Sequence, residues 1–190
     1  KQLESEIELM SWFEWGNLHL HQGDYALAVE KFQKARQLAH SGRSILFETL
    51  SLNNLAYANL LKGDLAAAEA AIQTGIAHAE RYALLAPRQY LFSTSGEIAL
   101  AQGRISAAEE SFRQALAYAA QFTTAQAALQ GDATHHLQGQ IALWLTELHL
   151  QRGEPEAAQA SLQTAETIAT KCQYAGILEQ AAQLRAKMGQ

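Results

Sequence analysis

The chain has 190 residues, 48% hydrophobic and 17% charged, with a formal net charge of -5. That is enough length for a continuous core, and the scattered Lys and Arg give no electrostatic footprint for direct contact with nucleic acid. No apolar run approaches a bilayer span and no signal peptide opens the chain, while Cys172 as the only cysteine excludes intrachain disulfides and cysteine-rich metal sites. These features predict a soluble, cytoplasmic protein of a reducing compartment that does not engage membranes.

A fifth of the residues are Ala, whereas Val occurs once, at Val29. This helix-forming, β-poor composition predicts an all-α fold. The two prolines, Pro87 and Pro155, stand where helices can begin. In chain order, helices are expected at 2–22 and 24–40, 44–62 and 64–82, 87–102 and 105–121, 133–152 and 155–171. A helix at 174–188, a cap or equally the first half of a further repeat, is expected to turn Tyr174, Ile177, Leu178, Ala181, Leu184 and Met188 to one side.

The helices fall into a repeat. Gly23, Gly63, Gly103 and Gly153 are each preceded at three residues by Leu, and followed at five by Ala. Four residues further come Phe32, Ile72, Phe112 and Leu162, then Ala35, Gly75, Ala115 and Ala165. Each glycine should end one helix in the left-handed region and start the next. Asp24 and Asp64 are expected to cap the following helix, and Pro155 to open another. Small residues let the backbones approach, and the large apolar residue fills the gap, giving four helical hairpins. The spacing is 40, 40 and then 50 residues, and the extra ten fall in 121–138, where Gly131 and Asp132 suggest a longer loop or an irregular helix start.

The first copy reads Trp12-x2-Trp15-Gly16-x2-His19, then Gly23-Asp24-Tyr25, then Ala28-x3-Phe32. It resembles the tetratricopeptide repeat family, with Trp for Leu and His for Tyr. The third copy keeps Phe92 and Gly96, whereas Ala56 and Thr146 replace that glycine in the second and fourth. His40, Glu80, Ala120 and Thr170 stand at the family's proline position. On this resemblance the repeats run over about 9–42, 49–82, 89–122 and 139–172, within one domain spanning 1–190. The period exceeds the family's usual length of about 34 residues and resembles a long variant of bacterial regulatory proteins, in signal transduction and transcription regulation. Opening at Lys1 in mid-helix, the sequence reads as an excerpt of a longer protein.

The resemblance implies a right-handed α-α superhelix whose first helices line a concave face for a peptide or helix of a protein partner, or for other domains of the parent chain. By register, that face should include Phe13, Asn17, Asn53, Tyr57, Tyr90, Ser93, Glu97, Gln140 and Glu147. Asn side chains there would bond an extended backbone, and the tyrosines would supply rigid contact area. The family subtype that clamps a chaperone's terminal carboxylate is excluded, because Phe13, Tyr90 and Thr94 replace its cations although Asn17 and Asn54 are kept. Trp12 and Trp15 are assigned to the core, and Phe13 is expected to be exposed and able to contact another domain or a second copy. Trp144, out of register with the core, is expected at the groove or the 121–138 insertion, beside a small-ligand pocket.

No phosphate loop, dinucleotide fingerprint or zinc-protease motif occurs, so neither catalytic residues nor a cofactor are expected. His19 and His21 lie two apart and cannot share an ion. Asp132, His135 and His136 provide too few ligands for a closed metal site, and Cys172 beside Lys171 has no base nearby. An interaction scaffold is expected first, and a ligand-sensing segment of a signal-transduction ATPase or transcription regulator second.

Overall fold

The computed structural model describes the backbone over residues 2–126 and 133–188 and the side chains over 3–121 and 135–188. The described residues are all-α, with nine helices and no strand. These are α1 (Gln2–Gln22), α2 (Tyr25–Ser41), α3 (Ile45–Lys62), α4 (Leu65–Arg81), α5 (Arg88–Ala101), α6 (Ile105–Gln126), α7 (Ala133–Gln151), α8 (Pro155–Cys172) and α9 (Ala175–Met188). None is long and apolar enough to cross a membrane, among the described residues.

The repeat glycines behave as the pattern requires. Gly23, Gly63, Gly103 and Gly153 have φ of +82, +86, +72 and +69°. In each turn the glycine N–H donates to the carbonyl of the Leu three residues earlier, and the next N–H to the carbonyl five residues before it. These bonds satisfy carbonyls that the helix end would otherwise leave without partners. A second left-handed residue follows twenty positions later at Arg43, Ala83 and Gln173. The long period is therefore two nearly equal helix-and-turn segments. In the third copy α6 instead runs on to Gln126, past the expected end at 121. No Gly or Pro interrupts the sequence between Gly103 and Gly131, and Ala and Gln continue the helix. The predicted loop residues Gly131 and Asp132 lie outside the described residues.

Capping follows the aspartates unequally. The Asp64 carboxylate accepts the Ala67 N–H at 3.1 Å, whereas Asp24 makes no side-chain cap. Asp24 instead lies 3.6 Å from His19 Nδ1. Pro155 opens α8 as expected.

The second helices bury the same positions in every copy. Ala28, Phe32, Ala35 and Ala39 of α2 recur as Ala68, Ile72, Gly75 and Ala79 of α4, and all are buried. The pattern returns as Ala108, Phe112, Ala115 and Ala119, then Ala158, Leu162, Ala165 and Ala169. Burying each large member is worth about 1.5–3 kcal/mol. The facing position of the first helices holds Gly16, Ala56, Gly96 and Thr146, all buried. A Cβ at Gly16 would stand 2.5 Å from the Phe32 ring, which is why a phenylalanine there demands glycine opposite.

The chain divides into two compact units, Lys1–Arg104 and Ile105–Gln190. In the first, α1 to α5 pack in sequence, and α3 also touches α5. In the second, α7 packs on α6 and α8, and α9 covers α7 and α8. Ile177, Ala181 and Leu184 of α9 join Leu143 and Leu162 in that core, as expected of a cap. Leu178 does not, and is 37% exposed. In each unit an arginine–carboxylate pair joins successive copies, Glu69 with Arg104 at 2.7 Å in the first and Glu109 with Arg152 in the second.

The aromatic assignments in α1 need correction. Trp15 is 53% exposed, edge-on to Trp12. Its counterpart Leu55 is buried against Ala28 and Phe32 of the preceding hairpin. Phe13, expected to be exposed, is half-buried with its ring 5.8 Å edge-on from both Phe32 and Phe47.

Candidate partner-binding face

In the first unit, α1, α3 and α5 bring equivalent repeat positions together. Counted back from each repeat glycine, six residues gives Asn17, Tyr57 and Glu97, and nine gives Glu14, Asn54 and Thr94. Ten gives Phe13, Asn53 and Ser93, and thirteen gives Met10, Leu50 and Tyr90. On a helix these offsets share one face.

Side-chain hydrogen bonds cross that face from helix to helix. Asn17 Nδ2 donates to Glu14 at 3.2 Å, and Asn54 Nδ2 of α3 donates to Asn17 Oδ1 at 3.1 Å. Asn53 Nδ2 donates to Asn54 Oδ1 at 3.2 Å, and Thr94 Oγ1 of α5 donates to Asn53 Oδ1 at 3.0 Å. The asparagines expected to serve a partner backbone are thus engaged with one another. Ser93 is buried. Sequence reading did not single out Glu14, and it met Asn54 and Thr94 only as positions of the carboxylate-clamping subtype, although all three share the repeat position nine residues before the glycine.

Three half-buried side chains remain beside the ladder. Burial raises the Tyr57 hydroxyl, and the charges of Glu97 and Tyr25 add to the effect. Tyr90 is raised by burial alone. Burial also pushes the Glu97 carboxyl up to about 8, because loss of water penalises its charged form. No hydrogen bond or ion pair reaches Glu97 from the described residues.

The other three expected residues lie in the second unit. Trp144 stacks on Phe112, with ring centroids 5.4 Å apart and planes at 22°. It lines a cavity of about 190 Å³ with Gln140, Glu147, Gln183, Leu184 and Lys187. Gln140 Nε2 also donates to Gln180 at 3.3 Å. The wall opposite Trp144 is therefore α9; of the insertion expected there, 127–132 lie outside the described residues.

No group of three His, Cys, Asp or Glu among the described residues could hold a metal ion. His136 packs edge-on against Tyr174 at 5.1 Å, and Asp132 lies outside the described residues. Cys172 is half-buried at the end of α8.

Comparison with known proteins adds one match. The model of the tetratricopeptide repeat family matches residues 10–41, which span most of α1 and all of α2. No curated protein matches the chain. Tetratricopeptide repeats generally mediate protein–protein interaction and are typically non-catalytic. With the family match, the left-handed glycine and the Gly16–Phe32 contact falling on the same segment, residues 10–41 form a tetratricopeptide repeat.

Proposed function

We propose that the chain is a non-catalytic interaction scaffold in which the α1, α3 and α5 face holds a peptide or helix of a partner protein, as a segment of a larger bacterial regulatory protein. The observation that carries this reading is the ladder from Glu14 through Asn17, Asn54 and Asn53 to Thr94. It ties three helices into a polar surface bordered by Tyr57, Tyr90 and Glu97. A surface so organised is ordered before any partner arrives, which lowers the entropy cost of binding. The test compares capture of partners from source-cell lysate by the wild-type chain and by the Asn53→Ala/Tyr57→Ala variant, with folding verified by circular dichroism. A partner retained by both sinks the reading.

A ligand-sensing segment is the second reading, favoured by the cavity beside Trp144. At about 190 Å³ it falls short of the roughly 300 Å³ at which small-molecule sites usually begin, so the scaffold is preferred. Thermal stabilisation by a metabolite, abolished in Trp144→Ala, would reverse that order.

A further inference from the structure

The partner face of the first unit carries carboxyl groups and no cationic side chain. Its twelve positions on α1, α3 and α5 include two carboxylates, Glu14 and Glu97, and no Lys, Arg or His. Glu14 accepts from Asn17 within the ladder. Glu97 has no hydrogen bond or ion pair from the described residues, remains partly exposed, and lies three residues after Thr94, whose hydroxyl bonds Asn53 on α3, with Tyr57 four residues after Asn53. Tyr90 precedes it by seven residues on the same side of α5, roughly 10 Å along the axis.

We propose that Glu97, at the same repeat position on α5 as Tyr57 on the adjoining α3, receives the guanidinium of an arginine from the partner polypeptide. This rests on the scaffold reading and names the chemistry of its partner. A guanidinium is planar, offers paired donors to a carboxylate, and stacks on an aromatic ring. Tyr90 gives the partner's neighbouring residues an amphipathic surface along α5.

The electrostatics agree with the geometry. A carboxyl withdrawn from water with no cation at hand titrates high, and Glu97 does so at about 8. An incoming guanidinium favours the ionised form, so the Glu97 proton leaves to solvent as the ion pair forms. On the helices packed against α5, Tyr57 of α3 is the group its charge reaches. In α4, Glu69 is paired with Arg104, His78 meets Thr49 and Glu48, and Arg81 lies over the Tyr82 ring.

The test is a carbon-detected NMR titration of the full chain carrying ¹³C-labelled glutamate, with N-acetylargininamide as the probe and N-acetylglutaminamide as the uncharged control. The Glu97 carboxyl midpoint should fall by at least about one pH unit with the arginine probe and stay in place with the control. Binding should be about fifty-fold stronger at pH 8 than at pH 6, since only the ionised fraction is competent. In Glu97→Gln the Tyr57 ring signals should no longer respond. A Glu97 midpoint indifferent to the arginine probe, or a Glu97→Gln chain that binds it as well as wild type, overturns the arginine site. Either result leaves the scaffold reading to its own Asn53/Tyr57 test, so the two failures are distinguishable.

Discussion

Glu97 makes stability depend on pH in a direction opposite to that of most carboxylates. Its carboxyl moves from an ordinary 4.5 to about 8 on folding. Between those limits the folded chain holds a proton that the unfolded chain has lost, so stability falls as pH rises. The contribution is fully present below 4.5 and gone above about 8. Each tenfold preference for the protonated form is worth about 1.4 kcal/mol, which sets an upper bound near 5 kcal/mol. Solvent reaching the partly exposed side chain reduces the expected effect to roughly 2–3 kcal/mol. Gln keeps the shape of the protonated acid and cannot ionise. Urea unfolding of wild type and Glu97→Gln should therefore give similar stabilities near about pH 5, with the variant ahead by roughly 2–3 kcal/mol near about pH 9. A difference that stays constant across that range would refute the argument, because a packing effect of the substitution has no reason to titrate.

The remaining predictions concern the repeat. Phe32→Ala and Phe112→Ala remove fully buried rings and should each cost about 3–5 kcal/mol in denaturant melts. Gly16→Ala places a Cβ against the Phe32 ring and should cost about 1–3 kcal/mol, with Phe32→Leu in the same chain recovering part of the loss. Asp64→Ala should cost about 1 kcal/mol, whereas Asp24→Ala should cost less because Asp24 makes no side-chain cap; equal losses would contradict the assignment. Glu109→Ala leaves the partly buried Arg152 without its carboxylate and should cost about 2–3 kcal/mol by thermal melting.

The repeat was legible because its signals are local. A left-handed turn requires glycine, and a position facing another backbone requires a small side chain, so Gly63 and Ala68 announce themselves wherever they fall. The helix boundaries of α1, α3 and α8 follow from the same logic to within about two residues. What failed depended on neighbours. Trp15 matches the family's core position and is exposed, whereas Leu55 at the same repeat position is buried because Ala28 and Phe32 pack on it. Phe13 reads as a surface residue by register and becomes half-buried because Phe32 of α2 and Phe47 of α3 both meet its ring. The end of α6 differs from the expected 121 because no Gly or Pro stands between Gly103 and Gly131 to stop the helix, which runs on to Gln126.

The face shows why repeat position alone does not identify binding groups. Asn17 and Asn53 occupy the positions from which a side chain could serve a partner's backbone, but their amides already bond to Glu14, Asn54 and Thr94. A partner that used them would have to replace existing hydrogen bonds, and exchange of one bond for another yields little net free energy. Glu97 differs: it has lost much of its hydration and gained no partner in return. An interaction that restores a counter-charge there recovers a desolvation cost the fold has already incurred. The ladder therefore sets the spacing and rigidity of the surface, while Glu97 and the two tyrosines are where a partner gains most from docking.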